Sequence, residues 1–145
     1  MNDQAGEHQV TIIDEHGSVI ELISTDTYEP EELTASFVCS SGEEFGGTWR
    51  GIPVRSVLDA AEDDSITHLV FVSSDGFQVC LPVADAFDAI VATDRIDAPG
   101  SGLPRLIAPS ISGTRTIKDV HLVQLKRLTA DDEPEDFETM PPSMR

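Results

Sequence analysis

The sequence predicts an α+β domain, a single unit of mixed β-sheet with short helices. Three observations carry that expectation. At 145 residues the chain fits one hydrophobic core, and about 70% of its unfolded surface can be buried at such a length. Short β-branched runs and short helically spaced runs are intermixed without a regular βαβ repeat. Asp75-Gly76, flanked by Leu69 to Ser73 and Phe77 to Leu81, is a strong hairpin signal.

Taken in chain order, Val10 to Ile13 alternates weakly, Asp14 to Ser18 is turn-like and Val19 to Ile23 is apolar and β-branched, which predicts an opening hairpin. Glu29 to Leu33 is expected to form one helical turn, followed by a strand over Ala35 to Ser40 that delivers Cys39 near its end. The Gly- and Ser-rich stretch Ser41 to Gly51 predicts a loop able to pass close to a ligand. Pro53 suits a first helical turn, and Val54, Val57, Leu58 and Ala61 follow helical spacing, so a short helix comes next. After the Asp75-Gly76 hairpin, Val83 to Ala92 places Ala84, Phe87, Ile90 and Val91 on one helical face and predicts a second helix. Asp97 to Leu103 is read as a loop, then Arg105 to Ala108 and Val120 to Leu125 as strands flanking a loop over Ser110 to Lys118. The domain is placed at residues 1–128, and the acidic, proline-bearing stretch 129–145 is expected to be a mobile tail.

Charge narrows the function. The 27 acidic and 9 basic residues give a formal net charge of -18, and Lys118 and Lys126 are the only lysines. Phosphate backbones and anionic leaflets are bound by basic patches, so neither nucleic acid nor a membrane is the expected partner. Self-repulsion of this size is relieved when the Debye length falls to about 3 Å at 1 M salt. Composition therefore resembles that of halophilic archaeal proteins. Without an apolar N-terminal stretch or paired arginines the expected location is cytoplasmic, where Cys39 and Cys80 are thiols rather than a disulfide.

Generic motifs are lacking: there is no Gly-x-Gly-x-x-Gly after a strand, no phosphate loop, no His-Glu-x-x-His, no Cys-x-x-Cys and no nucleophile elbow. His8, His16, His68 and His121 are scattered along the chain, a poor pattern for zinc. What remains is a strand-end cysteine, a Gly/Ser stretch, Trp49-Arg50-Gly51-Ile52-Pro53, Asp75-Gly76-Phe77 and Gly113-Thr114-Arg115-Thr116-Ile117-Lys118.

The segment FVCSSGEEFGGTWRGIPVRSVLDAA, with Cys39 ten residues before Trp49, twelve before Gly51 and fourteen before Pro53, resembles the cysteine segment of the sulfite-oxidase-type molybdopterin-binding domains. LVFVSSDGFQVCLPVADAF is similar to that family's strand, Asp-Gly turn, strand and Leu-Pro helix. LPRLIAPSISGTRTIKDVHLVQL is similar to its Pro-x-Arg-Leu and Gly-x-Arg/Lys-x-x-Lys stretch. The three blocks, in register, cover roughly residues 17–126.

The resemblance implies a sulfite-oxidase molybdopterin-binding-like fold and a molybdopterin cofactor (molybdenum cofactor). It makes Cys39 the catalytic residue and metal ligand, and Gly113, Arg115 and Lys118, with Arg50 beside Trp49, the cofactor contacts. The chemistry agrees, since a soft thiolate suits a metal that cycles oxidation states, and fixed cations beside glycine-opened backbone suit a phosphate. The implied activity is two-electron oxidoreductase chemistry on a small-molecule substrate. No haem or iron-sulfur motif is present, so electrons would pass through a redox partner subunit. A binding module that keeps the fold without bound molybdenum cofactor is the other class the sequence allows. Cys80, Trp49 and Phe77 are read as packing residues.

Overall fold

The computed structural model describes residues 10–14, 16–23, 30–38, 42, 44–61, 65–99, 102–109 and 116–138. Two sheets pack around one core. The first, sheet A, has the strand order β2-β1-β9-β5-β6, and the second, sheet B, the order β3-β4-β7-β8. Their strands are β1 (Val10–Ile13), β2 (Val19–Ile23), β3 (Glu31–Val38), β4 (Glu44–Pro53), β5 (His68–Ser73), β6 (Gln78–Pro82), β7 (Ile90–Arg95), β8 (Arg105–Ile107) and β9 (Val120–Lys126). Two helices, α1 (Val54–Ala61) and α2 (Val83–Ala86), link the layers. This is the expected α+β class.

The opening hairpin forms as the alternation predicts, with Asp14 as its hinge. Its Oδ1 accepts the His16 and Ser18 backbone N–H groups at 2.8 and 2.9 Å. The Ser18 bond, followed by those from the His16 and Gly17 backbone, holds the Asp14 carboxyl below the ordinary range. At the other hairpin Gly76 adopts φ 91°, the left-handed conformation that a side chain disfavours, and the Ser73 hydroxyl accepts the Phe77 N–H at 3.1 Å.

Three expectations are corrected. The helical turn expected over Glu29 to Leu33 gives way to β3, which begins at Glu31; Glu32, Thr34 and Ser36 face solvent while Leu33 and Ala35 are half-buried, a period of two rather than 3.6. The loop expected over Ser41 to Gly51 is largely β4, paired with β3 over eight consecutive positions from Glu31↔Gly51 to Val38↔Glu44. Its glycines serve close packing: a Cβ on Gly46 would meet Ser36, one on Gly47 the Arg95 guanidinium, and one on Gly51 the Val91 carbonyl. The helix expected over Val83 to Ala92 stops after one turn, and Ile90, Val91 and Ala92 begin β7, all of them buried. A central strand covered on both faces reads as a continuous apolar run, which helical spacing can mimic.

Between the sheets the core joins Leu69, Phe71, Val79, Leu81, Val123 and Leu125 of sheet A to Ile52, Val91 and Leu106 of sheet B, closed by Val54 and Val57 of α1. A fully buried side chain such as Phe71 contributes about 1.5–3 kcal/mol. The far face of sheet B carries a second cluster, Phe37, Trp49, Ile90, Ala92 and Ile107. Sheet B is thus apolar on both faces at its centre.

The acidic stretch after Leu128 makes contacts as far as Glu138. Asp132 Oδ2 accepts the Thr129 N–H at 2.7 Å, a 3-10 helix runs over Pro134–Phe137, Lys126 Nζ lies 4.6 Å from the Phe137 ring centroid, and Glu138 Oε2 accepts the Cys80 N–H at 2.9 Å. Residues 139–145 lie outside the described ones.

Candidate functional site

Strand alternation sorts the Trp49-Arg50 pair onto opposite faces. Trp49 is 2% exposed and packs on the outer face of sheet B, its ring centroid 6.1 Å from that of Phe37. The Arg95 guanidinium lies 5.0 Å from the Trp49 ring centroid, within cation–π range. Arg95 also donates from Nη2 to the Gly46 carbonyl at 2.5 Å and from Nε to Asp97 Oδ1 at 3.0 Å. Asp97 in turn accepts the Thr48 N–H at 3.1 Å. The Arg95 side chain, then the Thr48 N–H, hold the Asp97 carboxyl below its usual range. This Trp49–Arg95–Asp97 cluster went unread in the sequence. Thr93-Asp94-Arg95 is a strand end, and recognising β7 would have put Arg95 opposite Trp49 in the ladder.

Arg50 is exposed, directly between Glu32 on β3 and Asp94 on β7. It borders a cavity of about 270 Å³ lined also by Pro30, Gly51, Ile52, Thr93 and Asp94. In register it sits six positions from Val38, the residue before Cys39, or about 20 Å at the strand rise. Cys39, Gly113 and Arg115 lie outside the described residues.

The stretch carrying Gly113 and Arg115 is held firmly where it re-enters the described chain. Thr116 is 3% exposed, and Arg105 grips it twice: Nε donates to its carbonyl at 3.1 Å and Nη2 to its hydroxyl at 3.0 Å. The Leu106 N–H donates to the Ile117 carbonyl at 3.1 Å. Lys118 follows, exposed, its aliphatic stem filling the space where a Cβ on Gly102 would stand. A cationic head thus points outward from a rigid base. Arg105, within the Pro104-Arg105-Leu106 stretch, is the anchor that sequence reading passed over in favour of Arg115 and Lys118.

Cys80 is 1% exposed in β6 and not in a disulfide, the packing role expected of it. Trp49 is likewise a packing residue in the ladder, and Phe77 is half-buried. Among the described residues no three His, Cys, Asp or Glu side chains converge as a metal-holding group.

The model of the oxidoreductase molybdopterin-binding domain family matches residues 7–135, nearly the whole chain. The chain belongs to that family. Molybdopterin is therefore the cofactor class of its domain, and the fold expected from the resemblance is the one observed. Among solved structures, the sulfane dehydrogenase SoxCD from Paracoccus pantotrophus is similar over all of this chain, with a TM-score of 0.68 at 15% identity. The chain spans 45% of that protein's length. No curated protein sequence matches. Among the described residues no helix is long and apolar enough to cross a membrane.

Proposed function

We propose that this chain is a molybdopterin-dependent oxidoreductase, or a subunit of one, performing two-electron chemistry on a small substrate. The family match over residues 7–135 carries the reading. The described residues fit the group: the Arg105–Thr116 clamp holds the basic segment where it rejoins the described chain, and Lys118, its stem packed on Gly102, is exposed as a cation of the kind a phosphate needs. When bound, the group supplies a metal that accepts or releases two electrons at a substrate atom.

Within this reading Cys39 is the thiolate ligand, Arg115 and Lys118 bind the pterin's phosphate, and Gly113 lets the backbone approach it. Arg50, exposed at the cavity beside Gly51 and Ile52, is a further contact to the same group. Electrons pass to or from a redox partner, and SoxCD, a sulfane dehydrogenase of the same fold, supports a sulfur-containing substrate. The charge of -18 supports a salt-rich cytoplasm as the working medium.

The test is metal and pterin analysis of protein purified in molar potassium chloride from a molybdenum-competent host. About one molybdenum per chain is expected, lost in Cys39→Ser. Arg115→Ala should weaken pterin retention about tenfold or more by removing charge-assisted hydrogen bonds of ~1.5–3 kcal/mol. A folded protein with neither metal nor pterin would overturn the reading in favour of a binding module.

A further inference from the structure

Two sheet edges are closed by the chain itself. On β6 the Cys80 N–H donates to the Glu138 carboxylate, and Pro82, two residues on, has no N–H to offer. Along β8 the Leu106 N–H donates to the Ile117 carbonyl, and the Asp119 and Val120 N–H groups to Gly102 and Pro104. β3 differs. It is the outermost strand of sheet B, and its ladder with β4 runs over eight residues without a register shift. From Glu31 to Ser36 its opposite edge meets no other strand among the described residues. It carries no proline, lysine or bulge, the devices that ordinarily blunt an exposed edge.

The edge is also electrically quiet on a chain of net charge -18. Glu31 is ion-paired with Arg55, Glu32 stands opposite Arg50, and Leu33 to Val38 are uncharged. A basic partner strand would find Glu31 already paired and Glu32 facing a cation across the ladder.

We propose that β3 is an interface with a second copy of this chain, the two strands pairing antiparallel about a two-fold axis near Thr34 to join two four-stranded sheets into one of eight. An isologous contact of this kind makes the strands antiparallel. Centred on Thr34, it sets Leu33 opposite Ala35 of the other copy, continuing the apolar face that holds Trp49 and Phe37. Glu32 falls opposite Ser36 rather than another carboxylate, so no like-charged pair opposes the ladder. The acidic remainder of each copy repels the other, so association strengthens with salt.

The inference is independent of the cofactor reading and needs no bound group. Sedimentation equilibrium of the full chain from micromolar to several hundred micromolar, at 0.1 and 2 M potassium chloride, should show a monomer–dimer equilibrium shifting at least tenfold toward dimer at the higher salt. Amide exchange of the peptide spanning residues 31–38 should slow in the dimer. Thr34→Asp and Thr34→Arg each place like charges face to face at the axis, and both should weaken the dimer at least tenfold while circular dichroism stays unchanged. A monomer at all concentrations and salts would overturn the proposal. So would a dimer that persists in both variants, or one whose residues 31–38 exchange as fast as in the monomer.

Discussion

Replacing Thr116 by Val removes one oxygen and leaves the backbone carbonyl that the same arginine also grips. Arg105 Nη2 donates to the Thr116 hydroxyl at 3.0 Å, and Thr116 is 3% exposed, so the guanidinium would lose a charge-assisted bond where water cannot readily replace it. Such bonds contribute ~1.5–3 kcal/mol. Arg105 is itself only half-buried, which places the expected loss at about 1–2 kcal/mol. With an unfolding entropy near ~2.1 cal/mol/K per residue, a chain of this size loses about 3 °C in Tm per kcal/mol, so Thr116→Val should melt roughly 3–6 °C lower. A double-mutant cycle with Arg105→Met isolates the bond: if the two groups interact as the geometry shows, their coupling energy should be about 1 kcal/mol or more. A cycle that closes additively, or a Thr116→Val variant that melts with the parent, would refute a stabilising Arg105–Thr116 hydroxyl bond.

Three further outcomes follow from the same geometry. Gly51→Ala should destabilise by about 1–3 kcal/mol or more in urea titrations, because its Cβ would press on the Val91 backbone carbonyl rather than on a yielding side chain. Asp97 has its folded pKa below the unfolded value, so its contribution is complete above the unfolded pKa near 4 and is lost as pH falls through the folded one; Asp97→Asn should flatten the stability profile below pH 4, and an unchanged acid limb would count against the Arg95–Asp97 pairing. Melting temperature should climb as potassium chloride rises into the molar range, since screening weakens repulsion among 27 carboxylates; a flat or falling curve would remove the halophilic reading.

Much of the sheet framework was legible in local chemistry. The Asp75-Gly76 turn and the helical spacing after Pro53 both fall where the sequence places them, because each depends on interactions a few residues apart. Glycine was the main source of error. Gly46, Gly47 and Gly51 suggest a flexible loop when read locally, yet each is required by a neighbour far away in sequence, Ser36, Arg95 or Val91. The helical reading of Val83 to Ala92 failed for a related reason: Phe87 is 49% exposed, while Ile90 to Ala92 are buried by strands that no local pattern announces. Of the residues around the site, Lys118 was singled out by its motif. Arg95 and Arg105 were not, since their partners, Trp49, Gly46 and Thr116, are fixed by tertiary register.

The order of strands in sheet A carries a consequence for how the chain reaches its native state. Among the described residues β9 is the last strand and occupies the middle of the sheet, parallel to β1 and antiparallel to β5, so residues 120–126 join the two halves of that layer. A growing chain can complete the β3-β4-β7-β8 ladder once residue 107 has emerged, but the first hairpin must wait unpaired along one side until the closing strand arrives and inserts. Contacts spanning more than a hundred residues, such as Thr11↔Leu122, place this closure late and make it slow. During that interval the apolar edges of β1 and β5 are open to other chains, and like-charge repulsion between chains of net charge -18 then opposes their association during synthesis.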